Sequence, residues 1–371
     1  MGRLDLISGR IAMNSSPKIA VIGCGYWGQK LIRDFSEIKE VEVKSVCDFD
    51  LTAMARVKRR YPSVELIPEY QDILSDPHLD GVVIATPLST HYPFARQALE
   101  AGKHVLVEKP LASSSAQALE LIDLSQKRGK ILMVDHTFLY TGAVRSMKSL
   151  IDSGELGDLL YFDSVRISLG LVQSDTNVLW DLGPHDLSIL SYLYANDPVS
   201  VTAVGKKHLG CPFEDIVYVS VQFEGDLIAH FHLNWLAPVK VRRTLVGGSR
   251  KMIVYDDMET VEKVKVYDKG ISMNHHAEQR ERLLTGYRNG DMLAPNLDTR
   301  DALRLMASDF VHAMTTMQPP VSDGLSGYRV VRLLEGAQMS LAQNGRLVEF
   351  RPRAVPAVPS QYPLSEVILS A

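Results

Sequence analysis

From residue 18 the chain alternates short apolar runs with longer segments whose apolar residues recur every three to four positions. The runs at 18–22, 81–85, 104–107 and 131–134 are almost continuously apolar, 42–47 is a more mixed strand-length run, and a weaker one lies at 64–66. Strands buried on both faces have this texture, because a half-exposed strand would alternate. The intervening helical periods fall at 27–35, 51–60, 90–101 and 113–128. Asp50 stands where it can cap the second of these helices, and Gly102 and Gly129 follow the last two as stop signals. Strand and helix in strict alternation predict a parallel sheet covered on both sides.

Past residue 135 the pattern changes. After a helix at 143–153 come runs at 159–169, 199–204, 216–223, 227–235, 240–247 and 251–256 that alternate or stay apolar at strand length. Gly225-Asp226 and Gly247-Gly248 separate neighbouring runs as hairpin turns do. Two helices, 299–315 and 327–343, follow. The expectation is an α/β chain of two domains. Residues 17–135 form a doubly wound, Rossmann-like domain, and 136–351 an α/β domain on a large, mainly antiparallel open sheet. Residues 1–16 are read as a flexible leader and 352–371 as a tail containing Pro352, Pro356, Pro359 and Pro363.

Composition narrows the class. A length of 371 residues suits two domains, and 46% hydrophobic with 23% charged residues is ordinary globular usage. The formal charge of −4 argues against nucleic acid as a partner. No stretch approaches the roughly 18 apolar residues of a membrane span. The first sixteen residues lack the apolar core of a secretion signal, and Leu6 breaks a myristoylation motif that Gly2 would open. Cys24, Cys47 and Cys211 are odd in number and in no metal or redox spacing, so reduced thiols and a cytoplasmic location are expected, with no metal.

Three motifs carry chemistry. Strand 18–22 runs into Gly23-Cys24-Gly25-Tyr26-Trp27-Gly28, and a helix opens at once. In that setting Gly23 allows a tight turn, Gly25 lets backbone approach a pyrophosphate, and Gly28 permits close helix–strand packing. Asp48 closes the second strand, where a carboxylate accepts from adenosine ribose hydroxyls and repels a 2′-phosphate, which favours NAD over NADP. Its competing reading is a helix cap, a task for which Asp50 is better placed. Lys109, before Pro110, stands where the buried strand 104–107 ends, and ligands of open parallel sheets bind at such ends. Asp181 and His185 lie four residues apart across Gly183-Pro184. Pro184 reads as the first residue of a helix, so His185 falls in a first turn whose dipole disfavours the protonated ring. A neutral imidazole is what a general base for alcohol oxidation requires. Asp181 can orient His185 or pair with Lys109, and Asp186 reads as a first-turn acid; a capping or core histidine is the plainer alternative for His185.

These motifs, with Ala85-Thr86-Pro87 and His91, Ala101-Gly102-Lys103-His104-Val105, Glu108-Lys109-Pro110-Leu111 and Val321-Ser322-Asp323-Gly324, resemble the Gfo/Idh/MocA oxidoreductases from about residue 18 to 349. The resemblance implies a Rossmann domain joined to a C-terminal domain whose open sheet forms homodimers or homotetramers. It places the family's catalytic lysine, aspartate and histidine on Lys109, Asp181 and His185. Cofactor contacts then fall to Gly23, Gly25, Tyr26, Trp27, Gly28, Asp48, Thr86, Pro87, His91, Glu108 and Lys109. Two departures stand out: Ser188 replaces a frequent second aspartate, and Asn177-Val178-Leu179-Trp180 replaces a glycine pair. That variant is similar to the subgroup acting on nucleotide sugars in polysaccharide biosynthesis. The resemblance therefore implies NAD-dependent oxidation of a sugar, at C3 of a nucleotide-activated sugar such as UDP-N-acetylglucosamine. Arg166, Gln173 and Asn177, with Arg242 and Arg243, are the polar candidates for substrate contact. A polyol or inositol dehydrogenase, a glycosidase working through transient oxidation by retained NAD, and a cofactor-binding sensor are the other readings.

Overall fold

The computed structural model describes residues 16–170, 176–210, 212–273 and 285–350. Gln173, Cys211, the leader up to residue 15 and the proline-containing tail lie outside them.

The first domain is a six-stranded parallel sheet of β1 (Lys18–Ile22), β2 (Glu42–Cys47), β3 (Glu65–Leu66), β4 (Gly81–Ile84), β5 (His104–Glu108) and β6 (Leu132–Asp135). Its order, β3-β2-β1-β4-β5-β6, reverses direction between β1 and β4. The crevice at that reversal is where a doubly wound sheet binds its ligand. The helices are α1 (Tyr26–Ser36), α2 (Leu51–Arg60), α3 (Tyr70–Ser75), α4 (Leu88–Glu100) and α5 (Ser115–Arg128). β4 and β5 are buried along their whole length, which is why they read as unbroken apolar runs. Asp50 caps α2 by accepting from the Thr52 and Ala53 amides. α3 is one short turn-and-a-half, below the length at which an apolar period is readable.

A 3-10 turn (Thr137–Tyr140) and α6 (Gly142–Asp152) lead into the second domain. There follow β7 (Leu159–Ile167), α7 (Val178–Leu193), β8 (Pro198–Lys206), β9 (Ile216–Phe223), β10 (Ile228–Asn234), β11 (Val241–Gly248), β12 (Met252–Asp256), β13 (Val264–Tyr267), β14 (Gly270–Met273), β15 (Thr285–Arg288) and β16 (Met292–Leu293). The chain then runs through α8 (Ala302–Thr316), α9 (Gly324–Ala342) and β17 (Val348–Glu349). Nine of these strands form one sheet, ordered β16-β13-β12-β11-β7-β10-β9-β8-β17, antiparallel except where β10 runs parallel to β7. One face is covered by α7 and α9, and the other is open, exposing Val204, Tyr218 and Ile228. Among the described residues no helix is long and apolar enough to cross a membrane.

Two expectations need correction. Gly247-Gly248 is not a turn but the end of β11, where the pairing with β7 shifts register. A Cβ on Gly247 would stand 2.1 Å from the Tyr161 ring, so glycine is there for close packing. The helix carrying His185 begins at Val178, capped by the Asn177 side chain on the Trp180 amide, and not at Pro184. Pro184 is internal and removes one helix bond, a loss offset by burial. Gly183 brings α7 close to Leu233 of β10 and Leu334 of α9.

Candidate active site

The glycine turn leaves β1 at its carboxyl end and delivers α1 to the crevice. A Cβ on Gly28 would come 1.9 Å from the Gly23 carbonyl oxygen, whereas one on Gly25 would meet nothing within 4 Å. Gly28 is therefore a packing requirement, and Gly25 leaves space for a ligand. No side chain caps α1, so its first-turn N–H groups and positive dipole end face that space. This is a cradle for a pyrophosphate. Gly25→Val is expected to cost about 1 kcal/mol or less of stability but to abolish NAD binding, read by calorimetric titration beside thermal unfolding. Retained NAD affinity in that variant would remove the turn from the cofactor site.

Asp48 reaches back to this turn. Its Oδ2 accepts from the Cys24 amide at 2.5 Å and its Oδ1 from the Asp50 amide at 2.8 Å. The carboxylate thus ties the glycine turn to the end of β2. Tyr26 and Trp27 are exposed at the start of α1, each with the Lys30 ammonium 4.2 Å from its ring centre. Buried His91 holds its ring nitrogens 2.8 Å from the Pro110 and Thr86 carbonyl oxygens, joining the loop after β4 to the loop after β5. Burial lowers its pKa, so the neutral ring donates one hydrogen bond across that join. Cys24 and Cys47 are buried thiols whose pKa values burial pushes up to about 12 and about 11.

Beyond the turn, β5 ends at Glu108 and hands on Lys109, whose peptide to Pro110 is cis. Lys109 Nζ donates to the Asp181 carbonyl oxygen at 2.8 Å and lies 3.6 Å from Asp181 Oδ1. Asp181 Oδ2 accepts from Trp235 Nε1 at 3.0 Å, so the carboxylate is held between the ammonium and an indole of the second domain. Asp181 therefore takes the lysine-pairing role rather than orienting His185. Neither ring nitrogen of His185 has a hydrogen-bond partner among the described residues; the ring packs edge-on against Phe138 at 5.1 Å. Its pKa is held well below the ordinary histidine value by burial first, then by the charges of Lys109, Arg166 and Arg242. The expected cause, a helix dipole, does not apply in mid-helix.

Asp186 is likewise not a first-turn acid. It accepts from Arg166 Nε at 2.9 Å and Nη2 at 2.8 Å, a bidentate pair with both side chains buried. Arg166 is thus part of the wall behind the site and not an exposed contact. Asn177 is also buried, its amide donating to Glu214 Oε2 and Gln338 Oε1 at 2.9 Å each while its oxygen caps α7. Arg243 faces solvent and pairs with Asp256. Gln173 lies outside the described residues.

One group went unread in the sequence. His136 follows directly on β6, at a strand end facing the same crevice, and that position was its available signal. Glu108 and Asp135 are register partners at the ends of β5 and β6. Burial and their mutual repulsion raise the Glu108 pKa well above the usual carboxyl range, so one proton stays on the pair. Among the described residues six buried side-chain polar atoms lack a partner. Four of them, Glu108 Oε1, both His136 nitrogens and Arg166 Nη1, belong to this neighbourhood. Buried polar groups are normally paired, so a concentration of orphans marks where a ligand completes the structure. The residues present fit a dinucleotide lying from the glycine turn towards Lys109.

A doubly wound domain with that cradle, facing a lysine and an unengaged histidine, defines a nicotinamide-dependent oxidoreductase. Comparison with known proteins then gives the family. The model described as "Oxidoreductase family, NAD-binding Rossmann fold" matches residues 17–136, and that of the GFO/IDH/MocA C-terminal domain matches 144–254. The dTDP-3,4-didehydro-2,6-dideoxy-alpha-D-glucose 3-reductase of Saccharopolyspora spinosa is 30% identical over 253 residues, 66% of this chain and 76% of that protein. The UDP-N-acetylglucosamine 3-dehydrogenase of Acidithiobacillus ferrooxidans is 27% identical over 323 residues, 85% of this chain and 94% of that protein. A crystal form of the latter enzyme superposes with a TM-score of 0.75 at 24% identity, covering 88% of this chain and 97% of that one. GenD2 from gentamicin A biosynthesis, solved with NAD, gives a TM-score of 0.76 at 23% identity, covering 94% and 100%. The chain belongs to the Gfo/Idh/MocA family and is an NAD-binding oxidoreductase.

Proposed function

We propose that this protein oxidises a secondary hydroxyl of a sugar, at C3 of a nucleotide-activated sugar, with NAD as the electron acceptor. The observation that carries the reading is the assembly of Lys109, Asp181 and His185 at the crevice, with no hydrogen-bond partner for the His185 nitrogens among the described residues. The activities of two relatives, a UDP-N-acetylglucosamine 3-dehydrogenase and a dTDP-sugar 3-reductase, support C3 and a nucleotide-linked substrate.

Each residue has a defined task. His185, neutral and unengaged, accepts the hydroxyl proton. Lys109 has one N–H committed to the Asp181 carbonyl and another turned to its carboxylate, which leaves a third donor for the substrate oxygen. As that oxygen becomes a carbonyl, the ammonium holds it in place. Asp181 and Trp235 fix the lysine. Bound NAD supplies the two-electron acceptor.

The direct test mixes purified protein, NAD and a panel of nucleotide sugars and inositols, and follows absorbance of the reduced cofactor. Growth of the band with a nucleotide sugar is the expected result. Growth only with an inositol would replace the substrate class, and product without net reduced cofactor would point to transient oxidation. The pH dependence has a definite sign. A base works deprotonated, and His185 is held below its ordinary pKa, so activity falls only as pH drops through that lowered value. The acid limb of kcat/KM is therefore expected below the ordinary histidine range. A limb centred near 7 and removed by His185→Asn would contradict the assigned environment.

A further inference from the structure

Behind His185 the covered face of the second sheet carries two arginines side by side. Arg166 of β7 and Arg242 of β11 are register partners across an antiparallel pair. They share a face with Ser164 and Thr244, whose hydroxyls lie 3.3 Å apart. The Arg166 guanidinium sits 4.7 Å from the Phe138 ring centre and that of Arg242 5.9 Å, and the same ring abuts His185. Both cations thus stand around one aromatic spacer at the edge of the reacting centre.

Their partners differ. Arg166 forks onto Asp186 and is neutralised, with Nη1 buried and unmatched. Among the described residues the Arg242 side chain makes a single hydrogen bond, from Nη1 to Asp257 Oδ2 at 3.2 Å, and it is 33% exposed, so the guanidinium remains reachable. Asp257 is not its alone: Oδ1 accepts from Lys263 at 3.1 Å and from the Tyr255 hydroxyl at 3.2 Å. One carboxylate therefore balances two cations at this corner, whereas Lys109, whose charge also bears on His185, has the Asp181 carboxylate as its own partner. Binding of neutral hydroxyls needs no such surplus. A planar fork with unengaged N–H groups matches a carboxylate or phosphate.

We infer that this corner seats an oxyanion of the substrate, a carboxylate on the sugar or a sugar-linked phosphate, on Arg242 with Arg166 behind it. The inference rests on the nucleotide-sugar reading and sharpens it. An anion here offsets the positive field around His185, so the imidazole takes up the hydroxyl proton more readily when the proper substrate is bound. Base strength is then coupled to substrate identity.

The test uses the NAD-loaded protein and calorimetric titration with UDP-glucuronate and UDP-glucose, which differ in the carboxylate alone. Wild type is compared with Arg242→Gln and Arg242→Lys, their folding checked by thermal unfolding. A preference of about tenfold or more for the acid, lost in Arg242→Gln, supports a carboxylate seat; hydrogen bonds to charged groups are of that size. Equal binding of both ligands, weakened alike by Arg242→Gln, assigns the corner to the diphosphate. Equal binding that neither variant alters overturns the proposal. If neither ligand binds, the nucleotide-sugar reading falls separately. Oxidation of free glucuronate against glucose then decides: a preference for the acid, erased in Arg242→Gln, keeps the seat, and none discards it.

Discussion

His185→Asn is expected to lower kcat for hydroxyl oxidation by about 10²–10⁴-fold, the range of a positioned general base, with NAD affinity unchanged. The ring nitrogens have no partner among the described residues, so asparagine removes the proton acceptor without breaking an internal hydrogen bond. Phe138 loses its edge contact, a packing change too small to account for such a drop. Lys109→Met should fall by a comparable factor for a different reason: the substrate oxygen loses its donor, and the Asp181 carboxylate keeps only its indole partner. Steady-state kinetics with the best substrate of the panel, alongside NAD titration, reads both. A kcat for His185→Asn within about threefold of wild type, well short of that range, would remove the histidine from proton transfer.

Asp186→Ala is expected to destabilise the protein by about 3–5 kcal/mol, because it leaves the buried Arg166 guanidinium without its counter-charge. The pair is bidentate and both side chains are almost fully enclosed, at 5% and 2% exposure, so water cannot replace the carboxylate. Breaking a buried pair and deleting it differ in sign. The double change Arg166→Met with Asp186→Leu should return stability to within a few kcal/mol of wild type or above it, since no uncompensated charge remains. Urea unfolding at neutral pH measures both. Equal midpoints for Asp186→Ala and wild type would show that Arg166 finds another partner, and the buried-charge argument would be wrong.

Much of the first domain was readable from the chain. β4 and β5 are covered on both faces, so their apolar runs have no polar alternation to blur them, and Gly102 and Gly129 mark the ends of the helices between strands. The glycine turn declared itself because three glycines were needed for three separate steric reasons, and Lys109 because it ends a buried strand. Where local signals misled, the cause is identifiable. Gly183-Pro184 reads as a break, yet α7 runs through it; Leu233 and Leu334 clamp the helix there, and packing outweighs one lost backbone bond. Gly247-Gly248 reads as a turn, yet the Tyr161 ring and the Leu156 carbonyl oxygen demand glycine within the strand.

The chemistry of the site divides along the same line. Residue type and local spacing by themselves determined the fold class and pointed to the glycine turn and to the lysine, aspartate and histidine as candidates, since strand, turn and helix signals are local. Pairing across the fold was decided only in three dimensions. Arg166 meets Asp186 because β7 packs against α7, Trp235 reaches Asp181 from the end of β10, and Arg242 stands beside Arg166 through sheet register. Those contacts set which charges are spent and which remain. A linear sequence carries the charges, but the burial and distance that decide their strength exist only once strands and helices distant in the chain are packed together.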